Sequence, residues 1–163
     1  MRNFVNNLPL EVLGLFRVIF KSANKHFEEI EKSVGISGAQ LWALSEIANS
    51  PDITVSFLAK AMSLHMSTIS NLVDKMVERG LVERLRSDDD RRVVKVRVTK
   101  KGEAILDSAP GPFRGILPDA LMRMDHSELN DLRAHLIALV YMLERKSEDA
   151  ANEPLGTPIL IKS

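Results

Sequence analysis

The eleven residues from His65 to Lys75 contain Ser67, Thr68, Ser70 and Asn71, a run of short side chains that both donate and accept hydrogen bonds. On the exposed face of a helix's opening turns, such a set matches the base edges and phosphate oxygens of a duplex groove, with Lys75 added as a phosphate charge. The competing interpretation of the same residues is a solvated polar face. A second group follows closely, with Arg84, Arg86, Arg91 and Arg92 on either side of Asp88, Asp89 and Asp90. The two groups matter together only if the intervening chain brings them onto one side of the molecule.

The charge distribution supports that grouping. The chain is neutral overall, with 22 Lys and Arg against 22 Asp and Glu. Between Thr54 and Gly102 there are eleven basic and six acidic residues, a net +5, so the flanks together carry −5. A local anion-binding face is implied rather than a uniformly basic protein.

The elements that must position these residues can be read from periodicity and punctuation. Val12, Phe16, Ile19, Ala23, Phe27, Ile30 and Val34 recur every three or four residues after Pro9, which predicts a long amphipathic helix closed by Gly35. Ser37 with Gln40 is a capping-box start for a helix to about Ala48, and Asn49 to Asp52 is a turn. Two short helices are predicted at 55–62 and 66–79, separated only by Ser63, Leu64 and His65, with His65 at the N-cap position. Gly80 ends the second. Strands are expected at 81–86 and 93–98, where Val94, Val96 and Val98 alternate with Lys95 and Arg97. Thr99 caps a helix that Pro110, Gly111 and Pro112 interrupt, and Asp125 with Glu128 repeats the capping-box pattern before a seam of Leu129, Leu132, Leu136, Leu139 and Leu143. From Ser147 the sequence reads as a tail. The expected fold class is therefore mainly α with a small β-hairpin wing, a winged helix-turn-helix with flanking helices.

The stretch LAKAMSLHMSTISNLVDKMVERGLVERLRSDDDRRVVKVRVTKKG, residues 58–102, resembles the winged helix-turn-helix regulators of the MarR (multiple antibiotic resistance regulator) family. Asn71–Leu81 is similar to that family's recognition-helix end. Asp90-Arg91-Arg92, the alternating valines and Thr99-Lys100-Lys101-Gly102 are similar to its wing and the start of its fifth helix. The flanking helices follow the family's order, so the likeness runs over about residues 10 to 146. The resemblance implies a homodimer on a pseudo-palindromic double-stranded DNA operator, acting as a transcriptional repressor relieved by a ligand. It divides the chain into an N-terminal dimerisation helix (1–34), a DNA-binding unit (35–102), C-terminal dimerisation helices (103–146) and a tail (147–163). It makes Arg92 the wing-tip arginine and Asp90 the carboxylate that holds the wing arginines. The DNA-binding set is thus His65, Ser67, Thr68, Ser70, Asn71, Lys75, Arg84, Arg86, Asp90, Arg91 and Arg92. Asn71 stands where the family often has a basic residue, and Pro110-Gly111-Pro112 breaks a helix that is usually continuous.

The sequence bears on other function classes as well. There is no cysteine, hence no disulfide framework and no thiolate nucleophile. No Gly-rich phosphate loop, nucleophile elbow or paired His–carboxylate motif stands in the sequence, so neither an enzyme nor a bound cofactor is expected. His26, His65, His126 and His135 form no local zinc-ligand set, and no metal site is assigned. No apolar run is long enough to span a membrane, and the opening MRNFVNNLPLEV lacks the pattern of a secretory signal, which is the basis for the cytoplasmic expectation. A small aromatic or acidic effector is implied by the resemblance, with Trp42, Phe16, Phe20 and Phe113 as cleft candidates rather than assigned sites. The alternatives are a winged-helix protein-interaction module without DNA binding and a metal-responsive regulator on the same fold.

Overall fold

The computed structural model describes residues 7–86, 94–143 and 148–154. Helix α1 (Leu8–Val34) begins with Pro9 in its first turn and ends at Gly35, whose φ of 68° gives the left-handed cap and lets its N–H reach Glu31 O. Helix α2 (Gly38–Asn49) starts with the expected capping box: Ser37 Oγ accepts from the Gln40 N–H at 3.2 Å, and Gln40 Oε1 accepts from the Ser37 N–H at 3.0 Å. After the turn, Ile53–Thr54 forms a short strand, β1, and Thr54 Oγ1 caps helix α3 (Val55–Met62) by accepting from the Phe57 N–H. Ser63 turns the chain with φ 54°, and helix α4 spans Met66–Glu78.

Strands β2 (Val82–Arg86) and β3 (Val94–Val98) pair antiparallel, with Val82 opposite Val98 and Arg84 opposite Val96. β1 adds to the other edge of β3, with Ile53 opposite Val96, giving the order β1-β3-β2. β1 leaves no sequence signal, because two residues are too few to display the alternation that reveals a strand. The valine alternation of β3 points inward as expected: Val96 is fully buried, while Val94 and Val98 are half-buried against the core.

One core holds the winged unit together. Leu41, Leu44 and Ile47 of α2, Leu58 of α3, Ile69, Val73 and Met76 of α4, then Leu81, Val82 and Val96, are all buried, and α1 contributes Ile30 at its end. Helix α5 (Lys100–Ser108) closes it. Thr99 Oγ1 accepts from the Gly102 N–H and donates to Gly80 O at 2.7 Å, stitching the helix to the turn after α4. A Cβ on Gly102 would collide with Leu81 O and Val98 Cγ1, so glycine is what allows α5 to lie this close.

The helix breaks at Pro110–Pro112, as the sequence requires, and resumes as α6 (Ile116–Arg123). Pro118 sits in the first turn of α6, where helix N–H groups have no intrahelical partner to lose. Helix α7 (His126–Met142) is capped on one side only: Asp125 Oδ1 accepts from the Ser127 N–H at 3.4 Å, so the side chain engages the second helical residue instead of the box partner three positions on. The segment read as a plain tail forms a 3₁₀ turn, Glu148–Asn152, because the prolines that oppose helix come after it. Among the described residues no helix is long and apolar enough to cross a membrane.

Candidate nucleic-acid interface

Helix α4 buries Ile69, Leu72, Val73 and Met76 against the core, which turns its opposite side outward. Ser67, Asn71 and Lys75 are exposed there, and Thr68 and Ser70 are half-buried on its shoulders. His65 occupies the N-cap with extended backbone, but its side chain makes no capping hydrogen bond. The six α4-associated residues singled out from sequence therefore share one solvent-facing surface.

The basic hairpin is tied to this helix. Arg84 Nη1 lies 2.6 Å from Asp74 Oδ1, linking β2 to α4 at a half-exposed pair. Arg84, one of the basic residues singled out from the sequence, is thus paired with a carboxylate of α4. Arg86 ends β2 opposite Val94. Asp90, Arg91 and Arg92 lie outside the described residues, and with them the role of Asp90 in holding the wing arginines. Sequence reasoning missed the other brace, in which Arg97 of β3 donates from Nε and Nη2 to the two carboxylate oxygens of Asp52 at 2.8 and 2.9 Å. The pair is separated by 45 positions, and Asp52 holds a left-handed φ of 61° in the turn before β1. Nothing local in the sequence links them. Both braces are solvent-exposed, so each sets geometry more than it adds stability.

A groove of about 470 Å³ runs beside α4, lined by Ser37 and Gln40 at the α2 start, by Thr68, Asn71, Leu72 and Lys75, and by Glu153 and Pro154. A second cavity, about 440 Å³, lies between α1, α2 and α6, with Phe27, Trp42, Met62, Leu64, Pro118 and Leu121 in its apolar wall and Arg114 at its polar side. Glu46, 13% exposed, accepts from both Trp42 Nε1 and Arg114 Nε at 2.9 Å, fixing the indole and the guanidinium relative to one another. Of the aromatic candidates only Trp42 lines this cavity. Phe16 and Phe20 stack on each other along α1 at 6.2 Å, and Phe113 packs on the core. Phe27, which the periodicity placed among ordinary core positions, takes the wall position instead.

His26 is buried, and its Nε2 pairs with Pro112 O at 3.1 Å, fastening α1 to the α5–α6 turn. Among the described residues no group of three His, Asp or Glu side chains comes together as a metal site.

Two strands pinned to a surface helix, with the helix's polar side outward, define a winged helix-turn-helix protein. The chain belongs to the MarR family. The MarR family model matches residues 34–93. The Escherichia coli multiple antibiotic resistance protein MarR is 30% identical over 100 residues, covering 60% of this chain and 69% of that protein. An uncharacterized HTH-type transcriptional regulator of Bacillus subtilis, YhbI, is 27% identical over 136 residues, covering 83% of this chain and 88% of the relative. Among solved structures, a cysteine-to-serine mutant of the E. coli MarR protein complexed with operator DNA superimposes with a TM-score of 0.54 at 25% identity, over 83% of this chain and 98% of that one. The relatives are transcriptional regulators.

Proposed function

We propose that this protein is a homodimeric, sequence-specific regulator of transcription that binds double-stranded DNA, with α4 in the major groove and the hairpin beside it. The observation that carries the reading is the outward stripe of Ser67, Asn71 and Lys75 on a helix whose other side is locked in the core. Asn71 is suited to adenine through a bidentate contact, the serines and Thr68 to either base edges or phosphate, and Lys75 to the backbone. The operator-bound E. coli relative supports the assignment.

Dimerisation is supported by the apolar faces of α1 and α7. Leu15, Val18 and Phe20 are 58–64% exposed, and Leu136, Ile137, Leu139, Val140 and Leu143 are also exposed. A two-fold axis through these helices would set two α4 helices about one helical turn, ~34 Å, apart and so select a pseudo-palindrome. Repression relieved by a ligand is the reading the 440 Å³ cavity favours. Its apolar wall and the guanidinium of Arg114 suit a small aromatic acid, and a ligand preferring a different α4 separation would weaken DNA binding by shifting population.

Selection of bound duplexes from a random pool tests the core of this. Recovery of a two-fold symmetric motif, with Asn71→Ala losing preference at one base position per half-site, is the expected result. Recovery of no motif from wild-type protein would refute sequence-specific binding.

A further inference from the structure

The 3₁₀ turn at the C-terminal end lies against the N-terminus of α4. Asn152 O accepts from the backbone N–H of His65 at 3.2 Å, and the Glu153 N–H donates back to Ala150 O at 3.2 Å, which holds the turn closed. Beyond it, Glu153 and Pro154 form the wall of the groove whose other side is Ser37, Gln40, Thr68, Asn71 and Lys75. Residues 148–154 read EDAANEP, with three acidic side chains and no basic one.

We propose that residues 148–154 are an autoinhibitory strap that competes with DNA for the N-terminal turns of α4. The inference rests on the reading of α4 as the DNA-contacting helix. A phosphodiester approaching these turns needs backbone N–H donors and a neighbouring cation. The strap's carbonyl already takes the His65 donor, and the Glu153 carboxylate shares the groove with Lys75. Because the strap is part of the same chain, its effective concentration is high although its contacts are slight. Ala150, Ala151 and Glu153 are exposed and Asn152 and Pro154 are half-buried, so the strap attenuates binding instead of abolishing it. The same segment reaches the apolar cavity through Ala150 and Ala151, which places one short element between the effector space and the DNA face.

The chain has no cysteine of its own, so the strap can be locked in the full-length protein by Leu64→Cys with Ala151→Cys, two positions that line one cavity and flank the His65–Asn152 bond. The pair is closed by oxidation or with a short bismaleimide. The probes are a fluorescein-labelled duplex from upstream of the chain's own coding sequence and a scrambled duplex, read by anisotropy. Closing the link is expected to weaken binding to both at least tenfold, with reductant restoring the oxidised form, while Glu153→Gln in the otherwise unaltered chain binds both about threefold more tightly. Failure of the pair to link, or affinity unchanged by both the link and Glu153→Gln, would overturn the strap. The DNA reading fails separately, if the unaltered protein and Glu153→Gln leave both duplexes unbound at low salt.

Discussion

The winged unit and the helices around it solve the burial problem in opposite ways. Between Ile36 and Val96 nearly every apolar side chain of α2, α3 and α4 that faces inward is fully covered by neighbours from the same unit. α6 and α7 contain no buried residue, and α1 buries only Ala23, His26 and Ile30 over 27 residues. A helix with so much uncovered apolar surface gains little from its own chain, and leaving that surface in water costs about 25 cal/mol per Å². The winged unit is thus held by contacts within one chain, whereas the flanks leave apolar faces uncovered, and these are the faces on which the proposed dimer rests.

The contrast can be tested from its strongest point down. Leu44→Ala, at the centre of the winged core, should cost about 3–4 kcal/mol in urea unfolding, whereas Leu139→Ala should leave the unfolding midpoint at low protein concentration almost unchanged. Equal losses would dissolve the distinction between the regions. Leu139→Asp should act on association instead, weakening self-association about a hundredfold, equivalent to roughly 2.7 kcal/mol, in sedimentation equilibrium. Gly102→Ala should destabilise by about 1–3 kcal/mol, since the added methyl meets Leu81 O and Val98 where α5 joins the wing. A neutral result would mean that the α5 junction yields more easily than its geometry implies. The smallest effect belongs to Arg84→Ala: below about 1 kcal/mol in stability, because the Asp74 pair is half-exposed, with a larger change in DNA affinity as the hairpin loses its brace.

The same contrast explains how much of the molecule was legible beforehand. The winged unit has strong local signals. The Ser37–Gln40 box, the Gly35 and Gly80 stops and the alternating valines each act over a few residues, and the elements they announce formed within a residue or two of the expected bounds. α4's outward residues were legible for the same reason, since helical periodicity alone separates them from Ile69, Leu72 and Val73. The long-range ion pairs were not. Arg97 finds Asp52 and Arg114 finds Glu46 across 45 and 68 positions, and only the assembled fold brings them together. The cavity was half legible for a similar reason: Trp42 was singled out, but Phe27 looked like one more core position of α1. The contact between Asn152 and His65 had no sequence signal at all, because it is made by a backbone carbonyl and a backbone N–H. The wing-tip residues Asp90, Arg91 and Arg92 lie outside the described residues, and their roles rest on the family likeness alone.

The most direct test of the central claim, that α4 presents a duplex-binding surface, is the salt dependence of binding. Anisotropy titrations of the unaltered protein and of Lys75→Ala, against a selected duplex and its scramble across a series of salt concentrations, measure it. Tight, salt-steep binding that favours the selected duplex is predicted, with Lys75→Ala lowering affinity for both duplexes and flattening the log–log slope by about one unit. A slope near zero, or one unchanged by Lys75→Ala together with unchanged affinity, would contradict the account and leave the winged fold as a surface for protein partners.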